Sequence, residues 1–268
     1  MIAFVSVNID PFLIKFPANW GFEGIRWYGV FYVISFFVLQ FYLRRGVRKN
    51  LIDLDIQQSD LLLFYFACGA VIGGRLGHCV FYNFSEFICD PFVVFRVWNG
   101  GMSSHGGFIG AILGMGYFSW RYRCQFLRIT DLFSAIVPLC LLLGRIGNFI
   151  NSELVGRITD VPWGMIFERY DFNVRHPSQL YEAFFEGFLL FIILQIFAGR
   201  FRNQPGKLSC LFLILYSIAR IICECFREPD APLILDITRG QFYTIFLLLL
   251  GIVAWIVFQK RYRANKLK

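Results

Sequence analysis

The sequence is short of charge. Asp, Glu, Lys and Arg make up 16% of the 268 residues, against 57% hydrophobic residues, and the mean hydropathy is +0.58. That balance excludes a soluble domain, and the apolar runs reach the roughly 20 residues that cross a bilayer. A CxxC pair is also missing. Cys68, Cys79, Cys140, Cys210, Cys223 and Cys225 fall inside apolar runs, and Cys89 and Cys124 in loops. They read as small apolar residues, which excludes a zinc or redox centre; no metal and no cofactor is expected. Residues 1–19 have no basic start and no small-residue cleavage site, and they carry Asp10, Pro11 and Pro17, unlike a secretory signal. No fixed-period repeat or low-complexity tract is visible. The net charge of +8 is read by loop position and not as a nucleic-acid signal, so no nucleic-acid partner is expected.

What is there is a series of apolar stretches. Seven spans can be drawn, over 25–43, 60–81, 105–120, 131–150, 180–198, 208–226 and 242–259. Basic clusters follow the odd-numbered ones: Arg44, Arg45, Arg48 and Lys49; Arg121, Arg123 and Arg128; Arg200, Arg202 and Lys207; Lys260, Arg261, Arg263, Lys266 and Lys268. The longer loops 82–104, 151–179 and 227–241 mix Arg with Asp and Glu. The positive-inside rule puts the amino terminus outside and the carboxyl terminus in the cytoplasm. The expected fold is an all-α integral membrane protein of seven transmembrane helices, one polytopic domain over 1–268. It has an external arm over 1–24, with Phe12, Phe16, Trp20 and Phe22 suited to the membrane surface, and a small external cap over 151–179. Trp98 and Asn99-Gly100-Gly101 mark the loop before the third span as turn-rich.

Residues 139–157 begin as hydrocarbon-compatible helix and end as polar loop. Arg145, Asn148 and Asn151 are three apart and share a helix face. Gly144 and Gly147 beside them permit close approach. A guanidinium in an apolar run is costly unless it meets a partner or a ligand. Arg75, Arg145 and Arg220 each lie five or six residues before the outer end of their span, roughly 8–10 Å below the boundary at about 1.5 Å per residue. Tyr28 and His105 mark the same level. Tyr216, Arg220, Glu224 and Arg227 form a polar stripe on one face. A structural Arg–Glu network explains Arg75 best and competes evenly for Glu224; for Arg145 and Arg220 a phosphate-bearing lipid is the favoured partner. The glycine-rich opening of the third span around His105-Gly106-Gly107 offers an anion site at a helix start. Gly106, Gly107, Gly110 and Gly114 allow either a lateral opening or a close helix contact. For His176-Pro177-Ser178-Gln179-Leu180-Tyr181-Glu182, and for Glu153, Gly156 and Arg157, structural and substrate-positioning readings stand level.

The chain resembles the prolipoprotein diacylglyceryl transferases of bacterial cytoplasmic membranes. Residues 144–157, from Gly144-Arg145-Ile146-Gly147-Asn148 to Gly156-Arg157, look like the family signature. They depart from its commonest form at Ser152, where Gly is usual, and at Val155, where Trp is usual. His105-Gly106-Gly107, the segment His176 to Glu182, and Tyr216, Arg220, Glu224, Arg227 and Pro229-Asp230 match in type and order. The resemblance implies transfer of diacylglyceryl from phosphatidylglycerol to the lipobox cysteine of a prolipoprotein signal peptide, forming a thioether and releasing glycerol phosphate. It implies an inner-membrane enzyme whose site faces the outer half of the bilayer, with both partners arriving from membrane lipid. By position, Arg145 and Arg220 would bind the phosphate. Tyr28, His105, Asn148, Glu153, Gly156, Tyr216 and Glu224 match residues tied to activity. His105 is the first candidate for accepting the thiol proton or orienting the departing group, ahead of Glu224 and Glu153.

Two other classes compete. A lipid or anion transporter would use the same arginines for binding only, but its path needs polar residues through the inner half of the spans, where only Gln40, Ser59, Asp60 and Asp131 stand, near inner ends. A purely structural membrane protein leaves the signature unexplained.

Overall fold

The computed structural model describes residues 4–266, apart from Phe22, Tyr82, 97–100, Asp230, Ala231 and Ile234; at Ala18, Phe81, Ser104, His105, Asn265 and Lys266 only the backbone is described. Trp98, Asn99 and Gly100 of the turn-rich loop, Phe22 of the arm and Asp230 thus lie outside the described residues. Helices occupy all seven apolar stretches: α1 (Trp27–Arg48), α2 (Ile56–Phe81), a short α3 (Phe84–Cys89), α4 (Ser104–Tyr122), α5 (Phe126–Ser134), α6 (Val137–Asn151), α7 (Ser178–Glu182), α8 (Leu190–Arg200), α9 (Lys207–Glu224) and α10 (Arg239–Lys266). A π-helical segment, Ala183–Leu189, joins α7 to α8. By length and apolarity four of these can cross a membrane: α1, α2, the run Ser178–Arg200 and α10. The bent pair α5–α6 makes a fifth. The fold is therefore mainly helical and membrane-type, with four to five of the seven expected spans supported on that criterion. In α9 the apolar run is interrupted by Arg220 and Glu224.

The chain divides into two compact units, 40–132 and 1–39 with 133–268. In the first unit, α2 and α4 pack through glycines four apart: Gly69, Gly73 and Gly77 against Gly106, Gly110 and Gly114. A Cβ at Gly110 would overlap the Gly69 carbonyl oxygen, one at Gly106 the Gly73 oxygen, and one at Gly114 the Tyr65 oxygen. Backbones touch where side chains are absent. Of the two readings left open for the α4 glycines, close helix contact is the one found at Gly106, Gly110 and Gly114. At the start of α4, Ser103 Oγ accepts from the Gly106 N–H at 3.3 Å and the Ser103 carbonyl from the Gly107 N–H at 2.9 Å. Two of the backbone donors that an anion would use there, those of Gly106 and Gly107, are thus engaged.

Arg75 is buried in the same unit. It donates to the carbonyls of Val93 at 2.6 Å, Arg96 at 2.8 Å, and Val94 and Gly101 at 3.1 Å. It thereby holds the loop before α4 through backbone oxygens, a structural role. Asp60, near the start of α2, accepts from Arg44 at 2.8 and 2.6 Å and from Gln40 at 3.2 Å. Two of the sparse polar residues near inner ends, Gln40 and Asp60, thus satisfy each other, and Ser59 Oγ donates to the Ile56 carbonyl.

In the second unit the arm, beside a 3-10 turn at Ala18–Trp20, and the 151–179 loop add short strands to the helical membrane fold. β1 (Val5–Val7) pairs in parallel with β4 (Met165–Phe167), and β4 pairs antiparallel with β5 (Val174–Arg175). In the arm, β2 (Phe12–Lys15) pairs antiparallel with β3 (Gly24–Arg26). Strands of two to four residues are too short to show alternation in sequence. Val7, Val155 and Phe167 are buried together, with Phe149 at the end of α6 and Met165 against them. Val155 therefore fills the place where a larger Trp is usual. Arg175 ties the loop together: it bonds Asp171 at 2.6 Å, the Gly156 carbonyl at 2.9 Å and Glu228 at 3.2 Å, and lies over the Tyr170 ring at 4.8 Å. The hydrogen bonds from Arg175 hold the Asp171 carboxyl down at about 2.

Candidate active site

The site is built on α6, on α7 with its π-helical continuation, and on α9, all in the unit formed by 1–39 and 133–268. α6 starts at Val137-Pro138, where proline's missing N–H costs nothing. It stops at Ser152, whose φ of 56° is left-handed; Leu154 follows at 55°. Gly is free in that conformation and Ser is not. The Ser152 hydroxyl is also buried with no hydrogen-bond partner. We expect Ser152→Gly to stabilise the protein by about 1 kcal/mol, since relief of left-handed strain and of a buried hydroxyl outweighs the added chain entropy. A higher melting temperature in detergent checks this.

The polar end of α6 is organised by Glu153. Its carboxylate accepts from Asn148 at 3.2 Å and Asn151 at 3.3 Å, and its carbonyl accepts from Gln179 at 2.7 Å. Ser178 Oγ donates to the Leu154 carbonyl at 3.0 Å. The signature and the His176–Glu182 segment thus interlock. Gly147 is where the Tyr28 ring rests: a Cβ there would sit 2.7 Å from Tyr28 Cδ2, whereas one on Gly144 would meet nothing within 4 Å. Tyr28 Oη lies 3.0 Å from Tyr32 Oη. Gly156 presents no open backbone. A Cβ there would overlap the His176 carbonyl oxygen, its N–H donates to that oxygen at 3.1 Å, and it bridges to Arg227. Its smallness serves a chain crossing. His176 Nδ1 lies 3.2 Å from Tyr181 Oη, which accepts from Trp163 Nε1 at 2.8 Å. Burial lowers the His176 pKa, favouring neutral imidazole.

The charged centre follows. From α6, Arg145 Nη1 reaches Glu182 at 3.0 Å and Nη2 reaches Glu186 at 3.1 Å. From α9, Arg220 Nη1 reaches Glu182 at 2.6 Å and Glu186 at 3.3 Å, while Nη2 reaches Glu224 at 2.8 Å. Arg227 Nη1 lies 3.7 Å from Glu182 and 3.8 Å from Glu224. Glu182 and Glu186, four apart along the helix, have no exposed surface; the arginine side chains keep 14% and 11% of theirs. Tyr216, one turn before Arg220, stacks on Phe212 at 5.6 Å and stands within electrostatic reach of Arg145, Arg220 and Glu186. Glu224 packs against Gly240 at the start of α10, where a Cβ would lie 2.6 Å from its Oε1, a place where a helix favours negative charge.

The two arginines do converge, but on protein carboxylates. The physical reason is that unpaired guanidinium groups among apolar helices are strongly penalised, and carboxylates remove that cost. Sequence reasoning passed over Glu186. Its signal was present: a second acid inside an apolar run, one helical turn after Glu182. Glu182 appeared only as the end of a motif with its role open. His105 belongs to the other unit, and its side chain lies outside the described residues. Arg75 bonds carbonyls of its own unit, as above.

Such a cluster can present fixed guanidinium forks, partly reachable, to an anion carrying several oxygens. Residues 17–257 match the model of the family described as prolipoprotein diacylglyceryl transferase. A phosphatidylglycerol--prolipoprotein diacylglyceryl transferase of Legionella pneumophila (strain Corby) is 43% identical over 252 residues, covering 92% of this chain and 96% of that one. Those of Nitrosospira multiformis and Shewanella oneidensis are each 42% identical over 254 residues, covering 93% and 91% of this chain and 86% and 94% of theirs. With the signature, the buried arginine pair and this length of match together, the chain belongs to the prolipoprotein diacylglyceryl transferase family.

Proposed function

We propose that this protein transfers the diacylglyceryl group of phosphatidylglycerol to the lipobox cysteine thiol of prolipoproteins, the first step of bacterial lipoprotein maturation. The observation that carries the reading is the meeting of Arg145 and Arg220, from separate helices, on one pair of carboxylates. Sulfur attacks the glyceryl carbon, the carbon–oxygen bond to phosphate breaks, and glycerol phosphate leaves. The nucleophile is the thiolate, so the thiol proton must be taken up. The phosphate begins with one negative charge and gains a second as the bond breaks. Arg145 and Arg220 stabilise that developing charge from a water-poor site, usually the largest catalytic contribution. Asn148, Glu153 and Gln179 fix the end of α6 that carries Arg145. Tyr28 and Tyr216 bound the lipid, and Gly156 acts through the crossing it permits. His105 is the proton acceptor by resemblance, with Glu224 and Glu153 as alternates.

The same reading makes 1–268 one polytopic domain of seven spans in the bacterial inner membrane. The basic clusters after the odd-numbered spans support an external amino terminus, arm and cap, a cytoplasmic carboxyl terminus, and a site in the outer half of the bilayer. Both substrates, the phospholipid and the signal peptide, then enter from the membrane. Purified protein, incubated with phosphatidylglycerol and a lipobox peptide, is expected to add the mass of one diacylglyceryl group to the peptide, and Cys→Ser in the peptide abolishes the adduct. No adduct from folded protein rejects the reaction.

A further inference from the structure

The arginine pair is not waiting empty. Glu182 and Glu186 each bridge both guanidinium groups, Oε2 toward Arg145 and Oε1 toward Arg220. Two carboxylates thus occupy guanidinium donors that a phosphate would use. Among the described residues of the cluster, Arg145, Arg220 and Arg227 face Glu182, Glu186 and Glu224, three cations against three anions. A phosphodiester brings one more negative charge, and it gains the forks only by displacing a carboxylate. After the carbon–oxygen bond breaks, the phosphate monoester carries further charge and holds the same forks more tightly. A returning carboxylate is then the competitor that frees it.

We propose that Glu186 is a positioning residue that serves as a resident stand-in for phosphate, yielding Arg145 and Arg220 to the lipid headgroup and reclaiming them to expel glycerol phosphate. Three observations single out Glu186 over Glu182. Its contact to Arg220, 3.3 Å, is longer than that of Glu182, 2.6 Å. It sits inside the π-helical segment Ala183–Leu189, a conformation frequent at functional sites. And it touches Arg145 and Arg220 alone among the cluster's arginines, whereas Glu182 also faces Arg227. The inference rests on the transferase reading.

Glu186→Gln keeps the shape and removes the charge. It is expected to lower KM for phosphatidylglycerol, to tighten inhibition by added glycerol phosphate by at least about tenfold, and to lower kcat as release slows; Glu186→Asp, restoring the charge, moves both constants back toward wild type. A residue that only supports the fold would change neither constant in that opposed manner. An unchanged or weakened inhibition constant in a folded, active Glu186→Gln protein overturns the proposal and leaves the reaction standing. No transfer by the wild type overturns both. Should Glu186→Gln fail to fold, infrared difference spectra of wild-type protein labelled at glutamate carboxyl carbons decide the matter. Adding glycerol phosphate shifts a glutamate carboxylate band if the exchange occurs, and an unmoved band refutes it.

Discussion

Replacing Arg220 by Lys lowers kcat/KM for diacylglyceryl transfer by about 100-fold, roughly 2.7 kcal/mol of transition-state stabilisation. Arg220 uses both terminal nitrogens, Nη1 toward Glu182 and Glu186 and Nη2 toward Glu224. A lysine ammonium is a single point and cannot span these directions, although it keeps the charge. Arg145→Lys follows the same logic with a smaller loss, because Arg145 meets Glu182 and Glu186 but not Glu224. Steady-state rates of both variants, with melting temperatures measured alongside, check the effect. Rates within threefold of wild type in both folded variants would remove the arginines from the chemistry.

Replacing Gly110 by Leu costs more than about 3 kcal/mol and leaves little folded protein. The side chain has no rotamer that helps, because the clash begins at Cβ against the Gly69 carbonyl, a backbone atom that moves only if α2 and α4 part. Gly110→Ala is expected to be damaging for the same reason. Gly144→Ala, on α6, is the control: its Cβ meets nothing within 4 Å, and alanine in a helix is favoured over glycine by up to about 1 kcal/mol. Thermal unfolding in detergent separates the three. A melting temperature for Gly110→Leu near that of wild type would contradict the backbone contact.

Much of this site could be read in the sequence because its logic is local. Tyr216, Arg220 and Glu224 are one helical turn apart, so the Arg220–Glu224 pair at 2.8 Å follows from spacing alone. The helices lie where the apolar runs are, because run length and polarity are visible residue by residue. The partners of Arg145 were another matter. Glu182 and Glu186 are 37 and 41 positions away, and no periodicity says which helix α6 packs against. Arg75 shows the same limit from the other side, since its backbone oxygens carry no side-chain signature. The glycine face of α4 was legible as a face. Whether it met lipid or helix depended on α2 carrying Gly69, Gly73 and Gly77 in register. The strands of the arm and loop were invisible, because Val5–Val7 gains its structure only from Met165–Phe167.

That parallel pairing sets a schedule for biogenesis. Val5 finds its partner in Met165, so the first strand emerges long before the residue that completes it. At about 5–20 residues per second, the wait is roughly ten to thirty seconds of synthesis. Throughout that interval its backbone donors and acceptors must be served by water, a chaperone or the insertion machinery. That strand is therefore stitched in only after several spans have been threaded, and a bulky group attached ahead of it should spare early insertion while hindering that last closure.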